Sequence, residues 1–374
     1  MTWRGESLRF TWREKRVRLN LGLQGGGAHG AFTWGVLDRL LDETDIDFGW
    51  VSATSAGAVN GVALVSGLAS GGRAGARDVL RAVWEGVIEA GVPDLMRLNP
   101  FLFGMSRSPS ISQVATLFSP YEFNPLGFDP LRKLLSRHID FEQLRGFGDM
   151  ELLVAATDVA TGRLRLFRRR ELTVEAVLAS TCLPTLHHAV EIEGRAYWDG
   201  GFSANPDLVT LAAESPIGDT LIVQLNAVER AAPPRTAREI SFEVSRVTFN
   251  QPFIRDVAQI VGCIRHARRG WLGRRERGNR IARHRFHLIE AGRHTAALSP
   301  ETKLRTERSL LVSLYNAGRE ETGHWLSQCR GQVGRRGTVD LAAKFLAPLG
   351  PLQAASPVAP AIEDADEALL GAKL

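Results

Sequence analysis

Residues 22–30 read Gly-Leu-Gln-Gly-Gly-Gly-Ala-His-Gly and follow an alternating apolar segment, Val17, Leu19, Leu21 and Leu23. Alternation at that period predicts a strand. Three consecutive glycines at its end predict a turn whose backbone N–H groups can face an anion, because no Cβ blocks the approach. About one crossover later, residues 48–54 form a second strand-like run. It delivers Ser55 onto a turn of small residues, Ala56, Gly57 and Ala58, at the head of an apolar helix. A serine on a sharp strand-to-helix turn is exposed at the top of a sheet, where its hydroxyl can attack. Nearby glycine N–H groups would hold the oxyanion that forms on an ester carbonyl. Together the two segments predict an α/β fold with the chemistry of a serine acyl hydrolase.

The rest of the chain constrains that reading. At 374 residues it can bury one large core or two ordinary ones. A net charge of +5 and a pI near 9.4 favour anionic surfaces without choosing among them. Three widely spaced cysteines, Cys182, Cys263 and Cys329, suggest free thiols in a reducing compartment. The first twenty residues are charged throughout and lack an apolar h-region, which argues against a secretory signal. No apolar run is long enough to predict a membrane span. The expectation is a cytoplasmic protein, with peripheral contact at the inner face of a membrane as an extension of it.

Four regions follow from composition and periodicity. Residues 1–16 form a basic and aromatic arm. Residues 17–232 alternate strand-like and helix-like segments, which predicts a layered α/β domain with a mainly parallel sheet. Residues 233–346 shift to long helical patterns over 238–264 and 302–329, with a strand-like run at 284–289. Residues 347–374, rich in Pro, Ala and acids, predict a disordered tail. Within the second region, residues 91–128 carry prolines, glycines and aromatics without a period; a lid or acyl-chain wall and an ordinary packed insertion are equally good readings.

A serine hydroxyl needs a base. No histidine sits in a clear motif, although His294 and His324 stay open as bases of an α/β-hydrolase triad. Asp199 is the better partner, because it closes a hairpin on Gly200-Gly201, although Asp-Gly-Gly by itself reads as a plain turn. Gly25-Gly26-Gly27-Ala28-His29-Gly30, Thr54-Ser55-Ala56-Gly57-Ala58, Ala179-Ser180 with Leu183-Pro184, and Asp199-Gly200-Gly201 occur in that order. In order and approximate spacing they resemble the patatin-like phospholipases over residues 17–228. The resemblance implies a three-layer α/β/α sandwich and a Ser–Asp dyad without a catalytic histidine. It implies Ser55 as nucleophile, Asp199 as base, Gly25, Gly26 and Gly27 as the oxyanion loop, no cofactor or metal, and a lipid or acyl-ester substrate. Two positions depart from the family pattern: Ala53 stands where a glycine is usual, and His29 where many relatives carry Arg or Lys. The first leaves open a catalytically impaired lipid-binding protein on the same fold.

Other features draw bland readings. His187-His188 read as packing or surface residues, Cys182 as a small apolar filler, and Asp158 and Asp207 as turn and helix-start residues. The run Arg265–Arg285 carries nine arginines against Glu276, with Trp271 and Leu272 inside. A solvated loop is its first reading and docking on anionic headgroups its second; nucleic acid is not favoured, because no binding module accompanies it.

Overall fold

The structure is a computed structural model that describes residues 16–90, 119–228 and 233–347, save 126, 128, 149, 270–275, 297 and 299. Most of the arm, the tail, the core of the candidate lid and the centre of the arginine run therefore lie outside the described residues.

Among the described residues, eight strands form one sheet: β1 (Val17–Leu23), β2 (Ile46–Thr54), β3 (Leu152–Asp158), β4 (Leu164–Arg168), β5 (Val190–Ile192), β6 (Arg195–Asp199), β7 (Asp219–Gln224) and β8 (Arg285–Glu290). Their order is β5-β6-β3-β2-β1-β7-β8, with β4 also paired to β3. Pairings from β3 through β2, β1 and β7 to β8 are parallel; those of β4, β5 and β6 are antiparallel. The central strands are covered on both faces, so β3 and β7 are buried at every residue rather than alternately. Antiparallel β5 and β6 are joined by Glu193 and Gly194, with φ of 51° and 74°. Two consecutive left-handed residues form the turn whose twist matches a tight hairpin.

Helices flank both faces: α1 (Gly30–Leu40), α2 (Ala56–Ala90), α3 (Pro130–His138), α4 (Phe141–Gly146), α5 (Val174–Thr181), α6 (Leu208–Glu214), α7 (Ala237–Arg269), α8 (Glu276–Arg283), α9 (Arg308–Cys329) and α10 (Leu341–Phe345). The residues of β7 divide the layers. Leu221 and Val223 join the larger apolar cluster with α1, α2, α5 and α9, whereas Ile222 joins a second cluster with Phe253, Val257 and Ile260 of α7 and Phe345 of α10. Successive side chains of a strand face opposite ways, so this split defines a three-layer α/β/α sandwich. The later part of the chain supplies helices to both outer layers and β8 to the sheet. Tyr315 and Arg319 of α9 engage the Asp38 carboxylate of α1, the hydroxyl at 2.8 Å, tying the C-terminal helices to the first one.

Candidate active site

β1 and β2 are adjacent and parallel, so the glycine loop and Ser55 leave the sheet at the same edge. Register brings the third element level with them. Thr54 pairs with Ala155 of β3, and Ala156 on the opposite side pairs with Asp199. Ser55 and Asp199 thus stand at one height with a single strand between them, a backbone separation of roughly 10 Å that two side chains can close. This is the edge where open α/β sheets place their ligand crevices.

Ser55 has φ of 54°. A non-glycine residue in that region costs on the order of 1–3 kcal/mol, so the surrounding contacts must hold it there. They do so in three ways. The Ser55 N–H donates to Ser180 Oγ at 2.9 Å. The Thr54 hydroxyl donates to the Ala204 carbonyl at 2.9 Å. The Ser55 carbonyl accepts from the N–H groups of Ala58 and Val59 at 2.8 and 3.1 Å, which starts α2. The result is a half-buried hydroxyl at the head of a long helix, presented on a strained turn.

Ala53 lies two residues before Ser55 and is fully buried in β2, between Leu23 and Val154. Its methyl sits in the main apolar cluster opposite Gly61 of α2, where a Cβ on Gly61 would come 3.4 Å from it, ordinary contact. A small residue on the helix leaves room for the extra methyl on the strand.

Asp199 is fully buried. Its N–H donates to the Cys182 carbonyl at 2.8 Å, and its Oδ1 accepts the Gly201 N–H at 2.7 Å. Oδ2 has no hydrogen-bond partner among the described residues. Burial pushes the Asp199 pKa up to about 7, while the Gly201 N–H and the nearby Ser55 hydroxyl pull it down. Ser55 therefore acts on the carboxylate by proximity, short of a formed hydrogen bond. An aspartate whose pKa is pushed up to about 7, with one oxygen unpartnered among the described residues and a serine hydroxyl nearby, can exchange a proton with that serine.

The glycine loop touches the serine turn directly. A Cβ on Gly25 would lie 2.8 Å from Ser55 Cβ, a spacing real side chains do not adopt. The Gly25 N–H donates to Asn205 Oδ1 and the Gly25 carbonyl accepts from Asn226 Nδ2, each at 2.8 Å. Gly27 has φ of 58° and packs under the Lys303 carbonyl, which a Cβ would approach to 2.3 Å. No acceptor among the described residues takes the N–H of Gly26 or Gly27. Two amides without an acceptor among the described residues, in a loop whose Gly25 abuts Ser55, can receive a developing negative charge. His29 is buried with Nε2 2.8 Å from Thr302 Oγ1, and burial with the Lys303 charge lowers its pKa to about 4, so it is neutral here.

The other residues singled out by sequence fall elsewhere. His294 Nε2 contacts Glu321 at 2.7 Å and His324 Nδ1 contacts Arg293 at 3.1 Å; their described partners are on α9 and beside it, not Ser55 or Asp199. Cys182 is buried, donates to the His188 carbonyl at 3.0 Å, and has its thiol pushed up to about 12 by burial. His188 stacks on Tyr121 at 4.1 Å. Asp158 accepts from the Thr161 N–H at 2.9 Å and pairs with Arg195, and Asp207 caps α6 through the Thr210 N–H at 2.9 Å. Among the described residues no group of His, Cys, Asp and Glu converges as a metal-ligand set. Of the arginine run, Arg285 is committed to Asp219, whereas Arg265 and Arg283 are exposed. Sequence reasoning gave no role to Asn205, Asn226 or Lys303. They are lone polar residues in separate segments, and no spacing connects them to the glycines.

Comparison with known proteins adds the family. A sequence profile described as patatin-like phospholipase matches residues 21–212, just over half of the chain. No curated protein matches the chain. Among solved structures, VipD from Legionella pneumophila is 12% identical over 83% of this chain and 67% of its own, with a TM-score of 0.35. The type III effector ExoU is 16% identical over 82% of this chain and 53% of its own, with a TM-score of 0.29, so the chain spans about half of that protein. At such scores these two likenesses carry no argument about function. No helix among the described residues is long and apolar enough to cross a membrane.

Proposed function

This chain belongs to the patatin-like phospholipase family, and from that premise we propose that it is a lipid acyl hydrolase working through a Ser55–Asp199 dyad. The observation that carries the reading is the convergence, at one sheet edge, of a strained Ser55 turn with a buried Asp199 whose Oδ2 has no hydrogen-bond partner among the described residues.

The chemistry follows from that arrangement. Ser55 Oγ attacks the ester carbonyl carbon while its proton passes to Asp199 Oδ2. The carbonyl oxygen becomes an oxyanion held by the N–H groups of Gly26 and Gly27, and Gly25 keeps the loop against the serine. Collapse breaks the bond to the leaving alcohol, which takes the proton from Asp199, and the acyl group stays on Ser55. Water then repeats the sequence in reverse roles, with Asp199 as base, and releases the fatty acid. An aspartate with an ordinary pKa near 4 is a weak base at neutral pH; lifting it to about 7 brings its proton affinity into range. Esters and thioesters suit this base better than amides, because their leaving groups need less help. Phospholipids and lysophospholipids are the first substrates to try. Peripheral contact with an anionic membrane is proposed through Arg265 and Arg283, with Arg285 excluded by its ion pair.

Hydrolysis of a short-chain nitrophenyl ester by wild type, Ser55→Ala and Asp199→Asn tests the dyad. Both variants are expected to fold, by circular dichroism, and to lose about 10³-fold or more in kcat/KM. Folded variants that retain wild-type turnover would sink the proposal. His294→Ala and His324→Ala are expected to stay active.

A further inference from the structure

We infer that Lys303, which lies outside the stretch matched by the family profile, is a positioning residue for the oxyanion loop, acting through Asn226 on the peptide that joins Gly25 to Gly26. The inference rests on the dyad reading, since it assigns to the Gly26 N–H a part in holding the oxyanion.

The carbonyl of Gly25 and the N–H of Gly26 belong to the same planar unit, and in a trans peptide they point in opposite directions. Asn226 Nδ2 donates to that carbonyl at 2.8 Å. Fixing the carbonyl on one side therefore fixes the direction of the Gly26 N–H on the other, the side left without an acceptor among the described residues. The bond also polarises the peptide: a carbonyl that accepts makes its own N–H a better donor, by roughly 10–30% per bond in a chain of bonds.

Asn226 is itself held at both ends. Its backbone N–H donates to Gln24 Oε1 at 2.8 Å, which keys it to the last residue before the glycines. Its Oδ1 accepts from Lys303 Nζ. That contact decides the orientation of the side-chain amide. An ammonium can only donate, so it selects the oxygen of Asn226 and turns the Nδ2 group toward Gly25. A cation on the oxygen of an amide further strengthens its N–H as a donor. The relay thus runs from Lys303 through Asn226 and the Gly25–Gly26 peptide to the place where charge develops.

The segment around Lys303 is seated on the loop at two more points. The Lys303 carbonyl lies against Gly27 so closely that only a glycine fits beneath it, and Thr302 Oγ1 meets His29 Nε2 at 2.8 Å. With His29 neutral, the positive charge beside the loop comes from Lys303, a side chain more than 270 residues later in the chain. A residue that only packed would need neither the donor nor the charge.

The test measures the rate at which a fluorophosphonate labels Ser55, with nitrophenyl ester kinetics alongside, for wild type, Lys303→Met, Lys303→Arg, Asn226→Ala and the double variant Lys303→Met/Asn226→Ala. Labelling forms a bond from Ser55 Oγ to phosphorus, expels fluoride, and passes the serine proton to Asp199; the phosphoryl oxygen then lies where the oxyanion would. Lys303→Met is expected to lower kcat and the labelling rate together by about 10- to 50-fold, somewhat less than loss of a direct oxyanion donor, with KM changed by less than about threefold. Lys303→Arg is expected to recover part of that loss. The double variant is expected to be no slower than Asn226→Ala, because the two residues act in series. Lys303→Met labelling at the wild-type rate, or losses in the double variant that multiply, would overturn the relay. If Lys303→Met does not fold, Lys303→Gln, which keeps a donor without the charge, takes its place under the same two criteria. Wild type that neither labels nor hydrolyses while folded would count against the dyad itself, which separates that failure from this one.

Discussion

Asp199 and Asp219 are both buried aspartates at strand ends of the same sheet, and they have been driven in opposite directions. Asp199 ends β6 at the edge that carries Ser55. One of its oxygens takes a single backbone N–H, the other has no hydrogen-bond partner among the described residues, and its pKa is lifted to about 7. Asp219 begins β7 at the far edge. It accepts from Arg285 Nε at 2.8 Å, from His287 Nε2 at 3.2 Å and from the Gly334 N–H at 3.0 Å, and its carboxyl is held well below the usual carboxylate range. Burial penalises both charges. At Asp219, hydrogen bonds to the charged form and the Arg285 guanidinium outweigh the penalty; at Asp199 too few partners are present to do so. The comparison separates a carboxylate that holds the fold from one that the fold leaves able to take a proton.

The contrast can be broken from either side. Removing the satisfied carboxylate has the largest effect on stability. Asp219→Ala leaves Arg285 facing a gap and is expected to lower unfolding free energy by about 3 kcal/mol in urea titrations, with turnover per folded molecule unchanged. Because the folded pKa of Asp219 is depressed, its contribution is present above pH ~4 and fades as pH falls below that value.

Asp199 should show a dependence of the same sign in activity, displaced to higher pH. A base that titrates near 7 is charged above that pH and protonated below it. The kcat/KM for a neutral ester is therefore expected to drop about tenfold per unit below 7, roughly a hundredfold by pH 5, and to hold above 7 until Lys303, whose pKa burial lowers to about 8, loses its proton. A profile that stays flat down to pH 5 would show that Asp199 is not lifted.

The same shift carries a stability cost. As pH rises from about 4 toward 7, the unfolded chain releases the Asp199 proton while the folded chain keeps it, which favours unfolding. Asp199→Asn is therefore expected to be more stable than wild type at pH 8, by about 1–2 kcal/mol, and to match it at pH 4, by thermal and urea unfolding. The smallest effect is expected at the serine turn. Ala53→Gly restores the residue usual in the family but removes a buried methyl from a strand interior. It should cost about 1 kcal/mol of stability and change kcat/KM by less than about threefold.

Much of this could be read in the chain because its causes are local. The glycine triplet, the small residues around Ser55 and the Asp-Gly-Gly turn each constrain the backbone within a few positions, and the alternation of β1 and the helical spacing of α1 need no distant partner. The three-layer fold and the family followed from the order of those pieces. The strand-like run at 284–289 was visible, but its place beside β7 was not, since pairing partners leave no trace in a strand's own pattern. Ser180 stood in a recognised motif without a task; it proved to hold the N–H of Ser55. Asn205 and Asn226 carried no signal, because an asparagine that grips a backbone more than 170 residues away looks like any other asparagine.

Sequence alone determined the candidate groups: a serine on a turn too tight for larger neighbours, a carboxylate on another, and a loop without side chains. Only the tertiary structure decided how those groups behave. The register of β2 on β3 and β3 on β6 set Ser55 level with Asp199, the packing around β6 removed the water that would have kept that aspartate acidic, and Asn226 fixed the direction of the glycine amides. Proton affinity and hydrogen-bond direction depend on what surrounds a group in space, and a residue's neighbours in the chain do not specify that.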